Sequence, residues 1–209
     1  PEANIFRPTV FARALSNATG DLGLSAGERN LLLRIGAKML AELLRNFYAE
    51  ICDGLRDQGY TPQEVDAVVS QRPQRLGDIP KRLAAVRAFA ALPEAAALAA
   101  ANKRVGNILK KAEQAVAARV DASLLKEGAE IALNAALADV APRADAAFAQ
   151  GDYSASLQSL AALKGPVDTF FNDVMVNADD PALKANRLGL LASLHGAMNR
   201  VADLSKLSS

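Results

Sequence analysis

Apolar side chains recur at every third or fourth position along most of this chain, and capping or helix-breaking residues punctuate the rhythm. Ser25-Ala26-Gly27-Glu28 has the form of a capping box, in which Ser25 and Glu28 satisfy each other's backbone donors at a helix start. Behind it Leu32, Ile35, Met39, Leu43, Phe47, Ile51 and Leu55 form one stripe, and Gly59 supplies a left-handed stop. The spacing predicts a helix over about 25–57, some eight turns long.

Thr61-Pro62-Gln63-Glu64 repeats the capping pattern with proline at the first helical position, and predicts a short helix over about 62–70. Asp78 starts another, carrying Leu83, Val86 and Phe89. Pro93 begins an alanine-rich helix toward Asn102, and Val105, Ile108, Leu109 and Ala112 continue its period. Leu124, Leu125, Ile131, Leu133 and Leu137 belong to one or two helices ending before Gly151. Asp152 caps the next, and Gly165-Pro166 reads as a turn into Val167, Phe170, Phe171, Val174 and Met175. Asp180 caps and Pro181 opens the last helix, with Leu183, Leu190, Leu191, Leu194, Met198 and Val201 as its apolar set. Short connections predict antiparallel neighbours in a multi-helix bundle. Pro73 and Pro80 mark the one internal joint, so the organisation expected is an N-terminal helical part, 1–71, and a C-terminal bundle, 72–209.

Composition agrees with an all-α fold. With 44 Ala and 29 Leu in 209 residues, no Trp and few aromatics, the chain favours helices over strands. No run reaches the roughly 20 apolar residues of a membrane span; the most apolar stretch, 88–101, is broken by Pro93 and Glu94. Cys52 is the single cysteine, which precludes an intrachain disulfide and points to a reducing, cytoplasmic setting. It lies beside Ile51 on an apolar face, as an inert core thiol would. The N-terminus, Pro1-Glu2-Ala3-Asn4, lacks Met and any signal-peptide form, and reads as a cut inside a longer chain.

Catalytic chemistry is thin. His195 is the only histidine, so no Cys/His metal cluster can be assembled, and no phosphate-loop, dinucleotide or nucleophile-elbow motif occurs. The expectation is a chain with no catalytic residue, metal or cofactor of its own. Charge is more informative: between 71 and 120 ten Lys/Arg face three acids, a balance of +7 in a chain whose net charge is +1. Such a block suits a polyanion such as tRNA, whose phosphates provide most of the affinity. At helical spacing Lys103, Asn107, Lys110 and Lys111 share one side of the sharpest segment, with Val105, Ile108, Leu109 and Ala112 on another. Asn107 offers an amide to a base edge, and Gly106 permits close approach of a backbone. By charge alone, cations that merely solvate a bundle explain the pattern more simply. Tyr153, Phe170 and Phe171 are the candidates for stacking on unpaired bases, although aromatics at helical spacing more often pack in cores.

Asn102-Lys103-Arg104-Val105-Gly106-Asn107-Ile108-Leu109 resembles the N-K-R-x-x-N-I-L segment of the bacterial glycyl-tRNA synthetase beta subunit. Phe170-Phe171-Asn172-Asp173-Val174-Met175-Val176 resembles that family's F-F-D-x-V-M-V run. Asn186-Arg187-Leu188, then Leu190-Leu191, and Arg200-Val201-Ala202-Asp203-Leu204-Ser205 are similar to its final helix and terminus. Asp57-Gln58-Gly59-Tyr60-Thr61 and Arg72-Pro73 fit further upstream, so the resemblance runs over roughly 40–207. It implies a helical anticodon-binding domain of the DALR type, shared with arginyl-tRNA synthetase, in the C-terminal third of the beta subunit. It further implies an α2β2 enzyme that joins glycine to tRNA(Gly) with ATP, the catalytic site and the ATP and glycine sites lying on the alpha subunit. Asp180-Pro181-Ala182-Leu183-Lys184 departs from the family in carrying Lys184 where arginine is common, and Asn172 stands in place of its aspartate. A lysine cannot make the planar two-pronged contact of arginine, so no base-reading role is expected of Lys184.

The RNA-contacting residues expected on these grounds are Lys103, Arg104, Asn107, Lys110 and Lys111, then Asn186 and Arg187, with Arg72 and Arg75 steering the backbone. Asn186 and Arg187 are equally open to a role in holding two helices together. The rival expectation is a structural bundle that supports subunit assembly and reads no anticodon.

Overall fold

The computed structural model describes residues 8–20, 22–73, 75–112 and 115–208, and among them every regular element is a helix. The all-α expectation therefore stands. The chain divides into two compact units, the first within Pro1–Thr61 and Gln74–Leu76, the second within Pro62–Pro73 and Gly77–Ser209.

The first unit holds α1 (Pro8–Gly20) and α2 (Ala26–Asp57), packed against each other. The capping box at the start of α2 is formed: the Ser25 backbone N–H donates to the Glu28 carboxylate at 3.0 Å, and the Glu28 N–H donates to Ser25 Oγ at 3.4 Å. The Ser25 hydroxyl and backbone hydrogen bonds hold the Glu28 carboxyl below its ordinary value. Gly59 takes the left-handed conformation that ends the run, at φ 82°. A 13-residue helix cannot cover one of 32 residues. The upper part of the α2 stripe (Leu32, Ile35, Met39 and Leu43) is accordingly exposed, Leu43 at 66%. Leu55 at its lower end is buried, whereas Cys52 is half-buried and not the core thiol expected.

Among the described residues the second unit is a bundle of seven α-helices: α3 (Pro62–Val69), α4 (Ile79–Ala90), α5 (Ala95–Lys110), α6 (Gly128–Ala149), α7 (Tyr153–Ser159), α8 (Lys164–Asp173) and α9 (Pro181–Met198). Helix α3 belongs here and not with the long helix, as the sequence grouping had it. The Asp203 N–H donates to the Ala67 carbonyl at 2.7 Å, Lys206 pairs with Asp66 at 3.0 Å, and Glu64 takes two 3.2 Å hydrogen bonds from Arg87. Helix α6 packs on α7 and α8, α4 on α7, and α5 on α9 and the C-terminal 3-10 turn Leu204–Leu207. Phe89, Leu98, Leu133, Leu160, Phe170, Leu190, Leu194 and Met198 fill the space between them.

Local signals are realised at most boundaries. Asp152 accepts from the Ala155 N–H at 2.9 Å, and Asp180 from the Ala182 N–H at 2.8 Å. Two readings change. Gly165 and Pro166 make no separate turn but sit in the first turn of α8, where the missing proline N–H would have had no helical partner anyway. Leu124 and Leu125 precede α6, which runs unbroken from Gly128 through Pro142.

The two apolar sets should separate in unfolding experiments. Leu194→Ala, at a fully buried position, is expected to cost about 2–5 kcal/mol. Leu43→Ala should change stability by less than about 0.5 kcal/mol, and urea denaturation of both variants provides the comparison.

Candidate nucleic-acid interface

Helix α5 contains no acidic residue, so its cations have no partner on their own helix. Its inward face is set by Leu98, Asn102 and Val105, all buried. Asn102 and Asn199 exchange reciprocal amide hydrogen bonds of 2.9 and 3.0 Å, and Asn199 also donates to the His195 carbonyl at 2.7 Å, which ties α5 to the end of α9. The close approach expected at Gly106 is made by a side chain and not by a backbone: a Cβ there would stand 3.4 Å from His195 Nε2. Burial against α5 pushes the His195 pKa down, aided by the Lys110 ammonium and opposed by Asp203.

With that face committed, Lys103, Arg104, Asn107, Lys110 and Lys111 all stand on the exposed side. The Arg104 guanidinium lies 4.1 Å above the ring of Phe171, which in turn meets Phe170 edge-on at 5.6 Å. Two of the aromatic candidates for base stacking, Phe170 and Tyr153, are buried, and the half-buried Phe171 has one face covered by Arg104. Lys103, Arg104, Asn107 and Lys111 line a groove of about 430 Å³ along α5. Lys111 and Ile108 are shared with a larger trough of about 1360 Å³, whose other walls include Arg119, Asn177, Lys184 and Asn186. The two therefore adjoin at Ile108 and Lys111. Among the described residues, none of Lys103, Arg104, Lys110, Lys111, Arg119 and Lys184 makes an ion pair.

Asn186 and Arg187 are placed differently from the expectation of RNA contact. Both are buried, with their polar atoms spent on protein. Asn186 Oδ1 accepts from the Asp121 N–H at 2.7 Å and its Nδ2 donates to the Asp121 carbonyl at 3.0 Å. Arg187 donates to Glu130 at 2.5 Å, to Glu127 at 2.6 Å and to the Met175 carbonyl at 2.7 Å. Glu130 is 0% exposed. Burial alone would raise its carboxyl, but hydrogen bonds from the Glu127 N–H, Arg187 and the Lys126 N–H together hold it below its ordinary value. These two residues hold helices and loops, and their burial sets them apart from the exposed α5 cations. Arg72 is exposed, with a left-handed backbone at φ 49°, and lines neither groove; Arg75 is exposed and belongs to the first unit.

Arg119 and Lys184 were not among the residues singled out for contact. For Arg119 the signal is Gly189, which stands inside an otherwise leucine- and alanine-rich helix: a Cβ there would collide with the Arg119 carbonyl oxygen. The segment 115–121 crosses α9 at that point.

Comparison with known proteins completes these observations. The family model described as the DALR anticodon binding domain matches residues 98–205, which contain the larger trough, the Arg187 cluster and the α5 groove apart from Ser208. The chain is 74% identical over 169 residues to the glycine–tRNA ligase beta subunit of Dechloromonas aromatica, a match covering 81% of the chain and 24% of that relative. It is 76% identical over 155 residues to the corresponding beta subunit of Leptothrix cholodnii (74% and 22%), and 64% identical over 175 residues to that of Janthinobacterium sp. (84% and 25%). The chain thus spans about a quarter of the length of these curated relatives.

Arg187→Ala should remove about 3–5 kcal/mol of stability, because it leaves Glu130 charged and buried without its partner. The sign with pH follows from the lowered Glu130 pKa: its contribution is complete above the ordinary carboxylate value and is lost as pH falls through the depressed folded one. Urea titrations of wild type and Glu130→Gln across that range should show their difference shrinking toward acid.

Proposed function

Because the chain belongs to the DALR anticodon-binding domain family, we propose that it is the tRNA-binding module of a glycine–tRNA ligase beta subunit, docking the anticodon arm of tRNA(Gly) on the outer face of α5. The observation that carries this reading is the set of exposed cations, without an ion pair among the described residues, that line one groove beside α5. Ammonium groups of Lys103, Lys110 and Lys111 meet phosphates as point charges, and Arg104 is held rigid on Phe171 so that less side-chain freedom is lost on contact. Asn107 offers donor and acceptor to a base edge. No side chain here is asked to make or break a bond. In this reading glycine and ATP are used on an alpha subunit, within an α2β2 assembly that works in the cytoplasm.

A second reading draws on the exposed α2 stripe, which favours a packing role against other protein surface for the first unit. It concerns a different part of the chain, and anticodon dependence separates the two.

Lys103→Ala combined with Lys110→Ala is expected to weaken tRNA binding and to lower the slope of log affinity against log salt by about 1.5–2, on the order of one released counterion per lost contact. Filter binding with tRNA carrying the glycine anticodon, and with an anticodon-swapped partner, measures both quantities. Unchanged affinity and slope in the double variant would reject the α5 face, and indifference to the anticodon would favour the packing role.

A further inference from the structure

We propose that the larger trough is a second RNA-contacting surface, a phosphate cradle for the RNA backbone as it leaves the α5 face, and that Asn186 is the residue that positions it. The proposal rests on the RNA-binding reading above. Lys111, Arg119 and Lys184 project from three separate parts of the chain into one depression, and none is neutralised by an ion pair among the described residues. Among the described residues its wall carries one carboxylate, Asp121, which accepts from the Ser123 N–H at 2.9 Å and hydroxyl at 2.7 Å. Among those same residues three cations stand against one acid beside the α5 groove.

The lining also says which part of a nucleic acid fits. Among the described residues it contains no aromatic ring on which a base would stack. At about 1360 Å³ it exceeds the ~300–1,000 Å³ of small-molecule sites. A trough that long, cationic and without stacking surface suits a sugar–phosphate strand, and such contact carries no sequence information.

Arg119 reaches this position only because its segment is fastened to α9. Residues 115–121 have no regular structure. Asn186 grips both backbone groups of Asp121, and the Arg119 carbonyl rests against the bare Cα of Gly189. A buried amide that bonds one donor and one acceptor of the same residue fixes both distance and orientation. Asn186 therefore acts on RNA through Arg119 without touching it.

Titrations of the whole 209-residue chain with tRNA carrying the glycine anticodon and with its anticodon-swapped partner, over a salt series, test both parts. Arg119→Ala with Lys184→Ala, both at exposed positions, should weaken binding on the order of tenfold and lower the salt slope by about 2, to the same extent for both tRNAs. Asn186→Ala should reproduce the Arg119→Ala loss, and Arg119→Ala added to it should change nothing further. Retained affinity and slope in the Arg119/Lys184 variant, with loss in the Lys103/Lys110 variant, would overturn the cradle and leave α5 docking intact. Failure of the unsubstituted chain to bind either tRNA would overturn both. A loss confined to one anticodon would sink the backbone assignment, and additive Asn186 and Arg119 effects would sink the positioning role.

Discussion

The burial of one guanidinium organises the second unit. Arg187 lies 6% exposed between Glu127, Glu130 and the Met175 carbonyl. A charge removed from water costs several kcal/mol unless its donors are matched, so the cluster tolerates few arrangements. Its three partners come from the start of α6 and from the segment that leads out of α8. Glu130 meanwhile accepts from the Lys126 and Glu127 N–H groups, so the acid that neutralises Arg187 also caps α6. Helix start, ion pair and loop are thus one structure, and α9 is held in register with all three. The neighbouring Asn186 holds 115–121 by the same turn of α9. Two adjacent residues of α9 thus fasten the start of α6 and the segment 115–121.

Cations elsewhere in the bundle show what the α5 set lacks. Arg143 pairs with Asp139 and Lys164 with Asp168, each one helical turn away, and Arg200 reaches Asp145. Such exposed pairs add little stability, yet they neutralise the surface locally. Helix α5 has no acid with which to do the same, and its alanines and Gly106 bring α9 and His195 close on the other side. The consequence is a helix whose inner face is spent on packing and whose outer face keeps its charge.

How much of this was legible in the chain follows from sequence distance. The Ser25, Asp152 and Asp180 caps, and the positive-φ stop at Gly59, involve partners within about four residues, and hydrophobic spacing with side-chain chemistry locates them. The shared side of Lys103, Asn107 and Lys111 is likewise helical geometry. Asn186 and Arg187 misled because their partners lie 65 and 57 residues away, and an exposed-looking Asn-Arg pair in an amphipathic helix carries no mark of a buried one. The α2 stripe was legible as a stripe, but nothing local says whether its cover lies within this chain. Helix α3 went to the wrong unit because Pro73 and Pro80 look like a joint, while the hydrogen bond from Asp203 to Ala67 that assigns it joins positions more than a hundred residues apart.

The placement of arginine and lysine follows a single distinction. A guanidinium is a planar fork with five fixed donors, suited to carboxylates whose positions the fold already determines. Arg187 is used in that way, and Arg104 and Arg82 instead stand over aromatic rings. An ammonium is a point charge on a flexible stem, indifferent to the angle of approach. Lys103, Lys111 and Lys184 form no ion pair among the described residues. Lysine at 184 is thus no deficiency if its partner is a phosphate that arrives with some freedom of register. The rigid chemistry lies underneath and the adaptable chemistry on the surface, the order expected of a site whose shape must be set before a flexible polyanion is met.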